Sequence, residues 1–394
     1  MPPAASPPLS LYLHFPWCVR KCPYCDFNSY TLHGELAEGA YLAALKADLE
    51  AQAADVQDRE VVSIFMGGGT PSLFSPAAIA TVLEAARKLL RLAPDVEVTL
   101  EANPGTIERG RFDEYRCAGV TRVSLGAQSF DDLQLKALGR IHSSAETRRA
   151  AEELHAAGLQ NFNLDLMYAL SGQTVGAALQ DVEEALSLEP AHLSHYQLTL
   201  EQGTVFAGKP PADLPDEDVA ADILAACGER LADNGFLQYE VSAYALAGRR
   251  CRHNLNYWTF GDYLGVGAGA HGKLTARGSI VRTQQQREPR RYVANPTAMT
   301  RNPVPSSELP FEFMLNALRL VEGFERTLFF DRTGLEWGAV EGAVEALAAR
   351  GLLEMDKAMC RASARGQQVL NDVLLSFLEK IPQTTGSFGL STAV

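Results

Sequence analysis

The chain of 394 residues has no run of about eighteen apolar residues, so no membrane-crossing helix is expected. It is short of positive charge: 35 Lys and Arg stand against 48 Asp and Glu, a net charge of −13. Nucleic-acid binding wants a basic face and is not expected. The opening residues, MPPAASPPLS, lack the basic and apolar segments of a signal peptide. Cysteine is scarce. There are seven, an odd number, and Cys18, Cys22 and Cys25 crowd into one loop. Without an export signal a disulfide framework is not expected, and the reducing cytoplasm is the expected location. Internal repeats are also missing, as is any low-complexity stretch beyond the Pro-rich start.

What is present is an ordinary globular composition, 46% hydrophobic and 21% charged. Six β-prone runs can be read: LSLYLHF, VVSIFMGGG, VEVTLEANP, VTRVSLGAQSF, NFNLDLMYAL and HLSHYQLTLE. Helical segments separate them, such as SPAAIATVLEAARKLLRL with Ser75 as N-cap and Pro76 behind it. Such β–α repeats predict an α/β fold with a parallel sheet, here a partial (β/α)6 barrel open on one side. The expected domains are a flexible N-terminus over 1–10 and the barrel with an extension over 11–283. A linker is expected over 284–310, which holds Pro289, Pro296, Pro303, Pro305 and Pro310. A small helical, winged-helix-like domain is expected over 311–380, with a β-wing near Leu352 to Cys360 and a disordered tail over 381–394.

In parallel α/β folds the site lies at the carboxyl ends of the strands. The unusual residues fall there. Cys18, Cys22 and Cys25 follow the first strand, and Gly67 to Thr70 follow the second. Glu101 ends the third strand and Gln128 the fourth. Asp165 lies in the fifth, and Tyr196 and Gln197 in the sixth. The cysteine spacing is Cys-x3-Cys-x2-Cys. A structural zinc site wants four ligands, usually as two pairs, and no second pair exists, although His14 and His33 leave zinc open. Three thiolates suit a [4Fe–4S] cluster with one iron open to a small ligand.

This spacing after a first strand, with Tyr24 before the last cysteine, resembles the signature of radical S-adenosylmethionine (SAM) proteins. The segments LYLHFPWCVRKCPYCDFNSY, FMGGGTPS, EANPGT, LGAQSF, LGRIH, NLDLMYAL, HNLNYW and YLGVGAGAHGKL occur in order between Leu9 and Glu379. Together they resemble the oxygen-independent coproporphyrinogen III oxidase family and, within it, the HemW-type haem chaperones. The resemblance implies a cluster on Cys18, Cys22 and Cys25. It implies SAM contacts at Tyr12, Gly68, Gly69, Thr70, Glu101, Gln128, Arg140 and Asp165. It implies haem binding at His253, Tyr257 and Trp258. Chemistry agrees with these types: a Gly-rich turn for the methionine ammonium, Arg140 for its carboxylate, Asp165 for ribose hydroxyls. Arg249, Arg250 and Arg252 offer partners for haem propionates. Plainer readings stay open: an ordinary βα turn at the glycines, rim carboxylates at Glu101 and Asp165, a surface ion pair at Arg140. His253 and Asn254 could simply fix a loop against the barrel.

Two departures bear on activity. The oxidases carry a fourth cysteine where this chain has Phe27, and a long N-terminal segment where this chain has only about ten residues before the first strand. Ala169 and Ser171 stand where relatives tend to have Gly and Pro. The resemblance therefore implies a haem carrier that serves haem-requiring respiratory proteins at the membrane surface, with homodimerisation allowed. The alternative is decarboxylation of coproporphyrinogen III through a 5′-deoxyadenosyl radical.

Overall fold

Six parallel strands alternate with helices, as the sequence predicts, and a seventh joins them from later in the chain. The structure is a computed structural model that describes residues 6–106, 111–276 and 278–378. The expected tail over 381–394 lies outside the described residues. The chain runs β1 (Leu9–Phe15), the short β2 (Trp17–Cys18) and β3 (Tyr30–Thr31), α1 (Glu38–Ala53), β4 (Glu60–Gly68), α2 (Pro76–Leu89) and β5 (Arg91–Ala102). It continues through α3 (Arg111–Ala118), β6 (Arg122–Gln128), α4 (Asp132–Ala137), α5 (Ser144–Ala156), β7 (Phe162–Tyr168), α6 (Val175–Ser187) and β8 (His192–Gln197). Caps start the helices where the sequence puts them. Ser75 accepts from Ala78 N at 3.1 Å, and Ser143 and Glu146 form a capping box at α5.

Next come α7 (Val205–Gly208), α8 (Glu217–Asp233) and the hairpin β9 (Leu237–Glu240) and β10 (Ala243–Ala245). Then α9 (Arg252–Trp258) leads into β11 (Asp262–Val266), β12 (His271–Ala276) and β13 (Ser279–Gln284). With the edge strand β14 (Thr300–Pro303), the sheet order is β14-β13-β12-β11-β1-β4-β5-β6-β7-β8-β10-β9, parallel from β11 to β8 and antiparallel at both ends. Residues 284–310, expected as a linker, carry α10 (Pro289–Ala294) and β14. Tyr292 of α10 is fully buried and donates to Asp48 of α1 at 2.8 Å.

Side chains alternate across the central strands. Leu9, Leu11 and Leu13 of β1, Val98 and Leu100 of β5, and Phe162, Leu164 and Leu166 of β7 share one core with Ile79, Leu83, Leu154 and Val182 from the helices. Each such burial contributes about 1.5–3 kcal/mol. The other face carries Ser10, Tyr12 and His14, then Thr99 and Glu101, Arg122 and Ser124, Asn163 and Asp165, and His192, Ser194 and Tyr196. It curls into a polar chamber.

A second core lies in the C-terminal part. It is built on α11 (Leu309–Ala317), β15 (Phe324–Glu325), α12 (Arg326–Thr333), α13 (Gly338–Ala349), β16 (Leu353–Met355), β17 (Met359–Ala362), α14 (Ala364–Gln368) and α15 (Leu370–Leu375). Strands β15, β17 and β16 form a small sheet where the wing was expected. The last helix, read as continuous in the sequence, breaks at Val369.

Candidate functional site

The cysteine loop begins where β1 ends and is tied down along its length. Tyr30 N donates to Pro16 O at 2.7 Å, and Leu32 N to Cys18 O at 2.8 Å. Asn28 Nδ2 reaches Ala268 O and Arg287 O, both at 2.9 Å, and Phe206 N donates to Pro23 O at 3.0 Å. Cys18, Cys22 and Cys25 are half-buried and form no disulfide among the described residues. Burial pushes the Cys18 thiol up, a bond with Thr70 works against that, and Cys25 and Cys22 add to the rise. Burial also raises Cys25, opposed first by Ser29. The three thiols are thus electrostatic neighbours. Yet among the described residues no three His, Cys, Asp or Glu side chains converge on a single ion. A polynuclear cluster spreads its ligands apart and fits this set better than one zinc ion does.

Arg140 sits behind the loop. Its Nη1 lies 3.6 Å from Cys22 Sγ, its Nη2 donates to Gly126 O at 2.9 Å, and its buried Nε has no partner among the described residues. Burial works against its charge, but Tyr24 and Cys22 hold the pKa above the ordinary value. The turn after β4 packs tightly. Gly68 has φ +109°, and a Cβ there would lie 2.3 Å from the His14 ring, so only glycine fits. Its N–H donates to Glu101 Oε2 at 3.1 Å, Gly69 N to Phe15 O at 2.7 Å, and Thr70 N to Trp17 O at 2.8 Å. With these amides engaged, what the turn offers a ligand is carbonyl oxygen.

Glu101 and Asp165 face the same interior. Burial, then Asp165, pushes Glu101 up to about 8. Burial also raises Asp165, against bonds from Asn163, Ser194 and Ser124. Neither forms an ion pair among the described residues. Arg122 acts on Asp165 through space, but neither acid has a cation in contact among the described residues, and two close, desolvated acids suit a cationic ligand. Gln128, with φ +68°, ends β6 in a conformation that costs a non-glycine residue free energy, and its Oε1 accepts from Tyr196 OH at 2.6 Å. Tyr12 OH lies 3.0 Å from His14 Nδ1, and His14 Nε2 lies 3.0 Å from Asn28 O. Burial lowers His14 to about 4, so it is neutral and joins Tyr12 to the cysteine loop. The sequence reading gave His14 no such role. Its signal was its place two residues from Tyr12 on one strand face. Of the residues expected around SAM, Arg140 lies against Cys22, Thr70 against Cys18, and Gly68 bonds Glu101, whereas Tyr12 also faces the other way, its ring 6.3 Å from that of His253.

The HNLNYW segment lies elsewhere. It forms α9, which closes the opposite end of the chamber. His253 is 2% exposed, bonds Ser63 Oγ through Nδ1 at 3.1 Å and stacks on Phe65 at 4.9 Å. Burial, then Arg122, lowers it to about 3. Tyr257 meets His253 edge-on at 4.8 Å. Trp258 is buried under Arg319, whose guanidinium is 4.2 Å from the ring centroid. Arg250 pairs with Glu322 and Arg252 with Asp95. Two of the three arginines expected to serve propionates are thus engaged by carboxylates, and His253 is held as the plainer reading has it.

A family model of the radical SAM superfamily matches residues 12–186, and one of the HemN C-terminal domain matches 304–369. The heme chaperone HemW of Escherichia coli (strain K12) is 47% identical over 373 residues, covering 94% of this chain and 98% of the relative. The chain belongs to the HemW family of radical SAM proteins. Its similarity extends to the Haemophilus influenzae HemW, 45% identical over 377 residues, covering 94% of this chain and 98% of that one. The mouse mitochondrial radical S-adenosyl methionine domain-containing protein 1 is 38% identical over 400 residues, covering 97% and 90%. The solved structure of the Escherichia coli coproporphyrinogen III oxidase HemN aligns with a TM-score of 0.80 at 21% identity, over 95% of this chain and 91% of that one. That likeness speaks for the fold alone. Radical SAM membership implies a [4Fe–4S] cluster and SAM as cofactors. No described helix is long and apolar enough to cross a membrane.

Proposed function

We propose that this chain holds a [4Fe–4S] cluster on Cys18, Cys22 and Cys25, binds SAM beside it, and binds haem for delivery to haem-requiring respiratory proteins. It would work from the cytoplasm against partners at the membrane surface. The observation that carries the haem reading is the 47% and 45% identity, over 94% of this chain, to relatives named heme chaperones. Phe27, in place of the oxidases' fourth cysteine, argues the same way.

When bound, such a cluster supplies an open iron and an electron for SAM. The chain's own residues hold the ligand. Glu101 and the carbonyls of the Gly68–Thr70 turn take the methionine ammonium. Asp165 takes ribose hydroxyls, and Gln128 is set by Tyr196 to meet the ligand's polar edge. The Arg140 guanidinium takes the carboxylate and neutralises charge near Cys22. Tyr12 closes the chamber beneath them. Haem ligation by His253, with Tyr257 and Trp258 against the macrocycle, requires α9 to leave the chamber, because His253 is covered in the docked state.

The deciding experiment uses anaerobically reconstituted protein with SAM and reductant. One arm receives haem and the other coproporphyrinogen III. Retained haem without decarboxylated product is expected. Multiple-turnover formation of protoporphyrinogen would overturn the carrier reading in favour of the oxidase. Cys22→Ser is expected to abolish the broad iron–sulfur absorbance, and its survival would remove the cluster assignment. Loss of haem affinity in His253→Ala would support that ligand, and unchanged affinity would exclude it.

A further inference from the structure

The two ends of the chamber are joined by one continuous line of hydrogen bonds, in which every donor points the same way. Asn163 Nδ2 donates to Asp165 Oδ1 at 2.7 Å. Asn163 Oδ1 therefore accepts, and His192 Nδ1 donates to it at 2.6 Å. A neutral histidine with its proton on Nδ1 accepts at Nε2, where Tyr239 OH lies 2.9 Å away. The Tyr239 oxygen in turn accepts from Cys251 N at 3.4 Å. Cys251 is the N-cap of α9. Bonds aligned head to tail polarise one another, and here they end on a carboxylate. Burial raises Asp165, so a cationic ligand beside it favours the ionised carboxylate, and that strengthens the whole line as far as the N-cap of α9.

The far end of that line is a helix whose docking is incompletely satisfied. α9 buries His253 Nε2, Asn256 Oδ1 and Trp258 Nε1 without hydrogen-bond partners among the described residues. A buried polar group without a partner opposes burial, so three such groups on seven residues weaken the docking of this helix. Its N-terminal turn depends on outside help. Glu97 Oε1 accepts from Arg252 N at 3.0 Å, and Cys251 Sγ lies 3.6 Å from the same oxygen. Arg122 lies amid these groups. It is 2% exposed, forms no ion pair among the described residues, and acts through space on Cys251, Glu97, Tyr239 and Asp165. The line thus joins a ligand-facing acid to a helix that is gripped at its flanks but carries buried polar atoms without partners among the described residues.

We propose that Asn163, His192 and Tyr239 are positioning residues that couple ligand binding at Asp165 to docking of α9, so that SAM holds the haem segment closed. The proposal rests on the reading that Asp165 faces SAM. Coupling between two sites is reciprocal, so a ligand that needs α9 open would weaken SAM binding by the same factor that SAM weakens its own.

The test is hydrogen exchange of the α9 amides, followed by mass spectrometry in the full chain with its cluster reconstituted. SAM binding is measured alongside by equilibrium dialysis. SAM is expected to slow exchange in residues 252–258 several-fold. In Tyr239→Phe, which removes the hydroxyl between His192 and Cys251, SAM should still bind but the protection should vanish. His192→Gln provides a second break in the line should the first variant fold poorly. Unchanged exchange on adding SAM to the parent protein would overturn the proposal. So would full protection in a folded variant. A failure of SAM to bind in dialysis would overturn the reading of the site itself, and the coupling with it.

Discussion

At the scale of single residues, the site is made of groups held away from their usual ionisation. Glu101, near 8, is mostly neutral at pH 7. A cationic ligand prefers the carboxylate, so binding must release this proton. SAM affinity should then rise with pH, by up to about tenfold per unit between pH 6 and 7.5, and Glu101→Gln should flatten the slope. Equilibrium dialysis across that range checks it, and a flat profile in the parent would refute it. Ala169 shows strain of another kind. Its φ is +57°, where a Cβ costs roughly 1–2 kcal/mol and glycine costs nothing but its chain entropy. Its methyl is also buried in the core, worth about 0.8 kcal/mol, so Ala169→Gly should change stability by less than about 1 kcal/mol, read as a nearly unchanged urea midpoint and slope. The cysteine spacing, Glu101 and Asp165 were legible in the sequence because chemistry at strand ends stands out against apolar runs. The burial of His253 was not. A motif tells which residues travel together, not which side of a helix meets the sheet.

At the scale of elements, the six β–α repeats were legible because their apolar strands and capped helices follow separate periods. β11 was hidden by glycine. Gly265 reads as loop, yet it lies in the strand because a Cβ there would stand 1.9 Å from His271 O of the next strand. The prolines of 284–310 misled in the same way. Pro289 opens α10 and Pro303 ends an edge strand, both places where a missing N–H does no harm. β11 is anchored by Asp262, which is fully buried and accepts from Lys273 Nζ at 2.8 Å, Arg59 Nη1 at 2.9 Å and Thr275 N at 2.8 Å. Asp262→Asn leaves Lys273 charged and buried, and should cost about 3–5 kcal/mol. Burial already lowers Lys273 to about 8, so it can lose its proton at higher pH. The deficit should therefore shrink between pH 7 and 9, and urea unfolding at both values measures it.

At the scale of the whole molecule, the two cores are not independent. Phe260 and Ile280 of the sheet extension belong to the C-terminal core with Phe313, Phe324 and Phe329. Arg319 pairs with Glu240 at 3.0 Å, Val321 N donates to Tyr239 O at 3.1 Å, and Arg332 Nε donates to Thr259 O at 3.0 Å. The C-terminal part thus grips β9 and both flanks of α9. Calorimetry of the full chain should show one transition, and truncation after residue 303 should lower the melting temperature of what remains. Two separated transitions, with the barrel's unmoved by truncation, would contradict this. The alternation along the central strands limits how such a gene can change length. Leucines and polar side chains occupy neighbouring positions on opposite faces, so one inserted or deleted codon inside β1, β5 or β7 would exchange them. Leucines would enter the chamber, and Glu101 or Asp165 would face the helices. Viable insertions and deletions should therefore gather in the loops, and the central strands should keep their lengths.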